Sequence, residues 1–190
     1  MKIGIASVGI FKGERIGGFQ KITLDTAVAL KERNIDVCLL IPSDNGFLIS
    51  TLLEPNAGEI AIYTFQKINC LSDFMLTYRG LKNLKRRLDI DILHHQAANI
   101  NTTLLINALD TSKHVVTFQD PFDWNDMFIE RAFAEQDSSV FFSPLFPVYA
   151  KARIEIIKKG IRKADTFTAQ ARFLVDKAIK LYHLNKRPIY

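Results

Sequence analysis

Residues 1–42, MKIGIASVGIFKGERIGGFQKITLDTAVALKERNIDVCLLIP, decide how the rest of the chain is read. Lys2 to Ser7 has the composition of a buried strand. Phe19, Ile22, Thr23, Thr26, Ala27 and Leu30 then recur at helical spacing, which predicts an amphipathic helix with one core-facing stripe. Asn34, which tolerates the left-handed conformation, ends that helix before a second apolar strand over Ile35 to Ile41. Two strands joined through a helix are parallel. The loop between the first strand and the helix ends in Gly17-Gly18, so bare backbone N–H groups and the positive end of a helix dipole face a crevice suited to a phosphate.

The pattern repeats downstream. Pro42 to Gly58 reads as loop or a short insertion. Strand patterns follow at Glu59 to Phe65, Asp91 to His95, Lys113 to Phe118 and Thr166 to Ala169. Helical patterns fall at Leu71 to Leu88, Asn101 to Leu109, Ala150 to Lys163 and Arg172 to Leu181, with a further one at Asp126 to Glu135. Alternating strands and helices predict an α/β fold: a doubly wound, Rossmann-like parallel sheet with helices on both faces. One domain is expected over residues 1–181, with 182–190 opening a linker.

Composition narrows the class. Of 190 residues, 48% are hydrophobic and 24% charged, and no apolar run reaches the roughly 20 residues that span a bilayer. The N-terminus shows no basic-then-apolar leader pattern, so a cytoplasmic location is expected, peripheral to the inner face of a membrane at most. Cys38 and Cys70 have neither metal-ligand spacing nor disulfide density and are read as packing residues. The net charge is +5; residues 151–190 hold eleven Lys and Arg against Glu155, Asp165 and Asp176, which is +8 and leaves −3 for the rest. Such asymmetry marks either solvated helix faces or an anionic partner. Nucleic acid, an acidic membrane surface and a phosphorylated substrate are the partners such a charge fits.

Ligands of such sheets bind outside the carboxyl ends of the strands. That rule singles out Gly9 to Gly18, then His94, His95 and Gln96, and then Gln119, Asp120, Phe122 and Trp124. Strand alternation sends one of His94 and His95 into the sheet packing and the other toward solvent or the crevice. The glycines at 9, 13, 17 and 18 do not fall as G-x-G-x-x-G, which disfavours a nicotinamide oxidoreductase, and no Gly-Lys-Ser/Thr ending makes a P-loop. Nine of the twenty aromatic residues crowd into Phe118 to Tyr149, a proline-broken stretch. No carboxylate pair, Ser/His/Asp set or metal cluster can be assembled.

Four segments in order resemble the N-terminal domain of GT-B glycosyltransferases, family 4 in particular. Met1-Lys2-Ile3 leading through Gly17-Gly18 and Ala29-Leu30 to Asn34-Ile35-Asp36-Val37 resembles the family's opening βαβ unit. Asp91-Ile92-Leu93-His94-His95-Gln96 is similar to its D-V-V-H-x-H segment. Val115-Val116-Thr117-Phe118-Gln119-Asp120 resembles its V-V-x-T-x-H-D strand end, and Lys163-Ala164-Asp165 its helix-A-D-x-V-I-A turn. The resemblance implies one half of a GT-B architecture: the acceptor-side domain of an enzyme that moves a sugar from a nucleotide-diphosphate donor to a glycan, glycolipid or glycoprotein.

It also implies that Gly17 and Gly18 contact the donor diphosphate, that His94, His95 and Gln96 are the catalytic candidates, and that Gln119, Asp120, Phe122 and Trp124 line the acceptor cleft. No metal or other cofactor is expected; the partners expected are the sugar acceptor, the donor-binding domain and, peripherally, an anionic membrane, and nucleic acid is not among them. The donor-binding C-terminal domain has no counterpart in these residues, so the isolated chain is expected to be inactive. Gln96 and Gln119 stand where the family pattern has histidine, and an amide cannot gain or lose a proton near neutrality. The alternative reading is a non-catalytic α/β domain that binds a nucleotide or carbohydrate or docks a partner subunit.

Overall fold

The computed structural model describes residues 1–7, 18–43, 45–54, 57–66, 71–110, 112–119 and 146–184. In chain order the elements are β1 (Lys2–Ala6), α1 (Gly18–Lys31), β2 (Asp36–Ser43), β3 (Ile49–Glu54), β4 (Gly58–Gln66) and α2 (Leu71–Leu88). They continue as β5 (Ile92–His95), α3 (Ile100–Ala108), β6 (Lys113–Phe118), α4 (Phe146–Ile161), β7 (Thr166–Ala169) and α5 (Arg172–Tyr182). The helix expected at Asp126 to Glu135, Cys70 and most of the aromatic stretch lie outside the described residues.

The seven strands form one sheet in the order β3-β4-β2-β1-β5-β6-β7. Every neighbouring pair is parallel except β3 with β4. Of the two readings of Pro42 to Gly58, loop or a short insertion, the antiparallel β3 excludes plain loop. Its sequence, ISTLLE, lies on an edge with mostly exposed side chains, so it lacks the strong apolar alternation of a core strand. Turns build it: Gly46 and Gly58 adopt φ of 75° and 71°, and the Thr64 hydroxyl donates to Gly46 O (2.7 Å) while accepting from Leu48 N (2.8 Å).

Register and alternation divide the core into two layers. Ile5, Val37, Leu39, Ile41 and Ile60 point to one side, where they pack against Ala27 of α1. Leu93, Val116, Phe118 and Phe167 point to the other, under α2, α3, α4 and α5. Helices therefore cover both faces, unevenly: among the described residues α1 stands alone on its side. β2, between β1 and β4 and covered on both faces, is buried from Val37 to Ser43. Burial also pushes the Cys38 thiol up to about 11, as suits an inert packing residue.

On the four-helix side Phe118 stacks on Phe167 at 5.7 Å and on Tyr182 at 5.4 Å, tying β6, β7 and α5 into one cluster. Truncating such a ring typically costs about 3–5 kcal/mol. Local signals fix the ends: Asn99 caps α3 by accepting from Thr102 N at 3.0 Å. Asn34 (φ 59°) and His183 (φ 50°) take left-handed conformations after α1 and α5.

The α1 stripe is narrower than its periodicity suggests. Thr23 and Ala27 are fully buried, but Ile22 is 42% exposed, because one residue turns the helix by about 100° and carries it off the arc shared by Thr23, Ala27 and Leu30.

Candidate functional site at the carboxyl ends of β1 and β5

β1 is where the strand order reverses: β2 lies on one side of it and β5 on the other. Chain excursions diverge there and leave a crevice at the carboxyl ends. Beyond β1, Ser7 N continues the ladder to Leu40 O (3.0 Å); beyond β5, Gln96 N donates to Ala6 O (3.2 Å). Ser7 and Gln96 thus flank the reversal, both buried.

The side chain that joins them comes from α1. Thr23, fully buried, donates its hydroxyl to Gln96 Oε1, and its oxygen lies 3.3 Å from Ser7 Oγ. With Oε1 engaged, Gln96 has its two amide N–H donors left to offer a ligand. Gly18 opens α1 about one and a half turns earlier at an exposed position, and a Cβ built on it meets nothing within 4 Å among the described residues. Neither its φ nor helix packing calls for glycine there. Gly17 lies outside the described residues.

His94 and His95 point to opposite faces. His94, partly buried on the α1 side, places Nε2 2.7 Å from Thr117 Oγ1, and Thr117 Oγ1 is 2.6 Å from Thr168 Oγ1. An imidazole and two hydroxyls therefore form a row across β5, β6 and β7. Burial lowers the His94 pKa, so the ring is neutral and hydrogen-bonds without carrying charge.

His95 is wholly buried on the other face, its ring stacked on His114 at 5.3 Å. His114 Nε2 lies 3.0 Å from the Leu109 carbonyl and must donate to it, so His114 Nδ1 is an acceptor and takes the His95 Nε2 proton across 3.0 Å. That tautomer leaves His95 Nδ1 buried without a partner among the described residues. Burial drives the His95 pKa well down, reinforced by repulsion from His114 and His94; burial also lowers His114. Such a pair holds the floor of the sheet together as a neutral chain.

Gln119, directly after β6, is partly buried; Asp120, Phe122 and Trp124 lie outside the described residues. No group of three or more His, Cys, Asp or Glu side chains able to hold a metal occurs among the described residues. A cavity of about 810 Å³, lined by Leu88, Ile90, Leu109 and Lys113 among others, sits at the opposite, amino ends of the strands, away from the reversal.

The sequence profile of the family described as Glycosyltransferase Family 4 matches residues 16–190. The chain belongs to glycosyltransferase family 4. No curated protein matches it significantly. Family membership gives the parallel sheet and its reversal point a glycosyltransferase context.

Sequence reasoning placed Thr23 in this family 4 domain as one more core residue. A hydroxyl on an otherwise apolar stripe was the signal that it has a polar partner. Thr117 and Thr168, at matching positions near the ends of β6 and β7, were legible only once the register aligned them with His94.

Proposed function

We propose that the chain is the acceptor-side domain of a glycosyltransferase that uses a nucleotide-diphosphate sugar and a glycan, glycolipid or glycoprotein acceptor. The observation that carries this reading is the Ser7–Thr23–Gln96 cluster at the strand-order reversal, within two helical turns of the open Gly18 position. In this reading the α1 N-terminus faces the donor diphosphate through backbone N–H groups and the helix dipole, without a metal. Gln96 donates amide hydrogens to a sugar or phosphate oxygen. The His94–Thr117–Thr168 row presents neutral donors and acceptors of the kind that read sugar hydroxyls. Gln119, Asp120, Phe122 and Trp124 complete the acceptor cleft.

Gln96 and Gln119 cannot take up a proton near neutrality, so at these two positions the transfer relies on orientation and charge stabilisation. The nucleotide is held mainly by a second domain, and this chain alone transfers nothing. The test is to assay the full-length protein with a panel of labelled nucleotide-diphosphate sugars and lipid or glycan acceptors, beside residues 1–190 alone. Transfer by the former and none by the latter supports the reading; turnover by residues 1–190 overturns the division of labour.

Gln96, in place of the family's histidine, and the neutral buried His95 favour a second reading, a binding domain without catalysis. Saturable binding of a nucleotide or sugar at Gln96, with no turnover by the full-length protein, would establish it.

A further inference from the structure

The described residues include ten exposed large hydrophobic side chains, and four of them belong to one patch: Phe47 and Ile49 before and at the start of β3, and Met75 and Leu76 on α2, between 41% and 67% exposed. Gly80 joins the two groups. A Cβ at Gly80 would overlap the Phe47 ring, so the missing side chain is what lets Phe47 lie against α2. Leu76 is one turn before Gly80 on the same face.

The same face of α2 is cationic. At about 100° per residue, Met75, Leu76, Arg79, Lys82, Asn83 and Arg87 fall within an arc of about 140°, and all are exposed. Leu81 and Leu88 face the core. The helix's one acid, Asp73, lies off that arc. Lys82 stands over the Tyr78 ring at 5.1 Å, which keeps its charge at the helix surface.

Position adds to composition. The Thr77 hydroxyl lies 3.4 Å from the carbonyl of Gln66, the last residue of β4, so the helix before Thr77 overhangs the carboxyl ends of the strands. Met75 and Leu76 therefore project from the rim on which the candidate site lies.

Exposed aliphatic side chains beside three exposed cations match a surface with an apolar interior and an anionic skin. A nucleic acid would use the cations but has no place for four aliphatic and aromatic side chains standing clear of them. We propose that this face of α2, with Phe47 and Ile49, docks the protein on an anionic lipid bilayer and presents the carboxyl ends of the sheet to the membrane surface. The inference concerns a different surface from the sugar site and holds whether or not the chain transfers sugar.

Flotation of the full chain with phosphatidylcholine vesicles, with and without phosphatidylglycerol, tests it. Phosphatidylglycerol is expected to raise the bound fraction at least about tenfold, and the Arg79→Ser/Lys82→Ser/Arg87→Ser variant to lose that gain. Met75→Ser/Leu76→Ser is expected to lose the fraction that survives high salt, while Lys151→Ser/Lys159→Ser on α4 keeps both. Circular dichroism verifies that each variant is folded. Equal binding to both vesicle types, retention by the triple variant, or loss only in the α4 variant overturns the proposal. So does a triple variant that loses duplex DNA rather than vesicles, or patch variants that change only the oligomeric state in sedimentation velocity.

Discussion

Thr23 of α1 donates its hydroxyl to Oε1 of Gln96 at the end of β5, across 73 residues of chain and inside the crevice where the strand order reverses. The bond joins a helix to a strand that it does not follow in sequence, and it fixes which end of the Gln96 amide faces outward. Thr23→Val keeps the shape and leaves a buried carbonyl oxygen unpaired. It is expected to cost about 1–3 kcal/mol in urea denaturation, with Thr23→Ser costing less. Equal stability of Val and Thr at this position would show that the bond is idle.

The buried imidazoles make stability pH-dependent with a definite sign. His94, His95 and His114 all have folded pKa values below the ordinary 6.5, chiefly through burial, so the unfolded chain binds more protons in acid. Stability from this source is complete above pH 6.5 and falls as pH drops below it, by up to about 1.4 kcal/mol per pH unit for each proton taken up. Unfolding free energies measured between pH 8 and pH 5 should be level at first and then decline, and His114→Asn should reduce the decline. A stability that rises on acidification through this range contradicts the neutral His95–His114 pair.

The contact between α3 and α4 rests on a missing side chain. A Cβ on Gly160 would overlap Thr103, including its Cβ, which cannot swing away as the tip of a long side chain can. Gly160→Ala is therefore expected to destabilise the protein by about 1–3 kcal/mol despite alanine's better helix propensity. Thr103→Ala removes the Cγ2 and Oγ1 overlaps but keeps the Cβ one, so Gly160→Ala/Thr103→Ala should recover only part of the loss in thermal denaturation; no recovery at all would locate the strain elsewhere.

Much of this architecture was legible because burial imposes periodicity. The strands at Lys113 to Phe118 and Thr166 to Ala169 and the helix at Leu71 to Leu88 have the bounds their sequences predict. β3 escaped because an edge strand held by one neighbour needs no apolar face, and Ser50 and Thr51 resemble loop residues. Gln96 was singled out by its place after a strand, but its partner was not: a bond between residues 23 and 96 follows from the sheet order, which no local pattern encodes. The His95–His114 chain is of the same kind, since strand register alone brings the two rings together.

The central claim is that the opening of α1, beside the Gln96 crevice, faces the reacting sugar nucleotide. Gly18→Val tests it most directly, because among the described residues nothing lies within 4 Å of a Cβ there and φ is not positive, so the fold should tolerate the change. The measurement is kcat/KM for sugar transfer by the full-length protein, alongside its melting temperature. The account predicts a loss of at least about a hundredfold with melting unchanged, since a branched side chain would stand where the backbone must meet the diphosphate. Unchanged turnover in a folded Gly18→Val protein would contradict it.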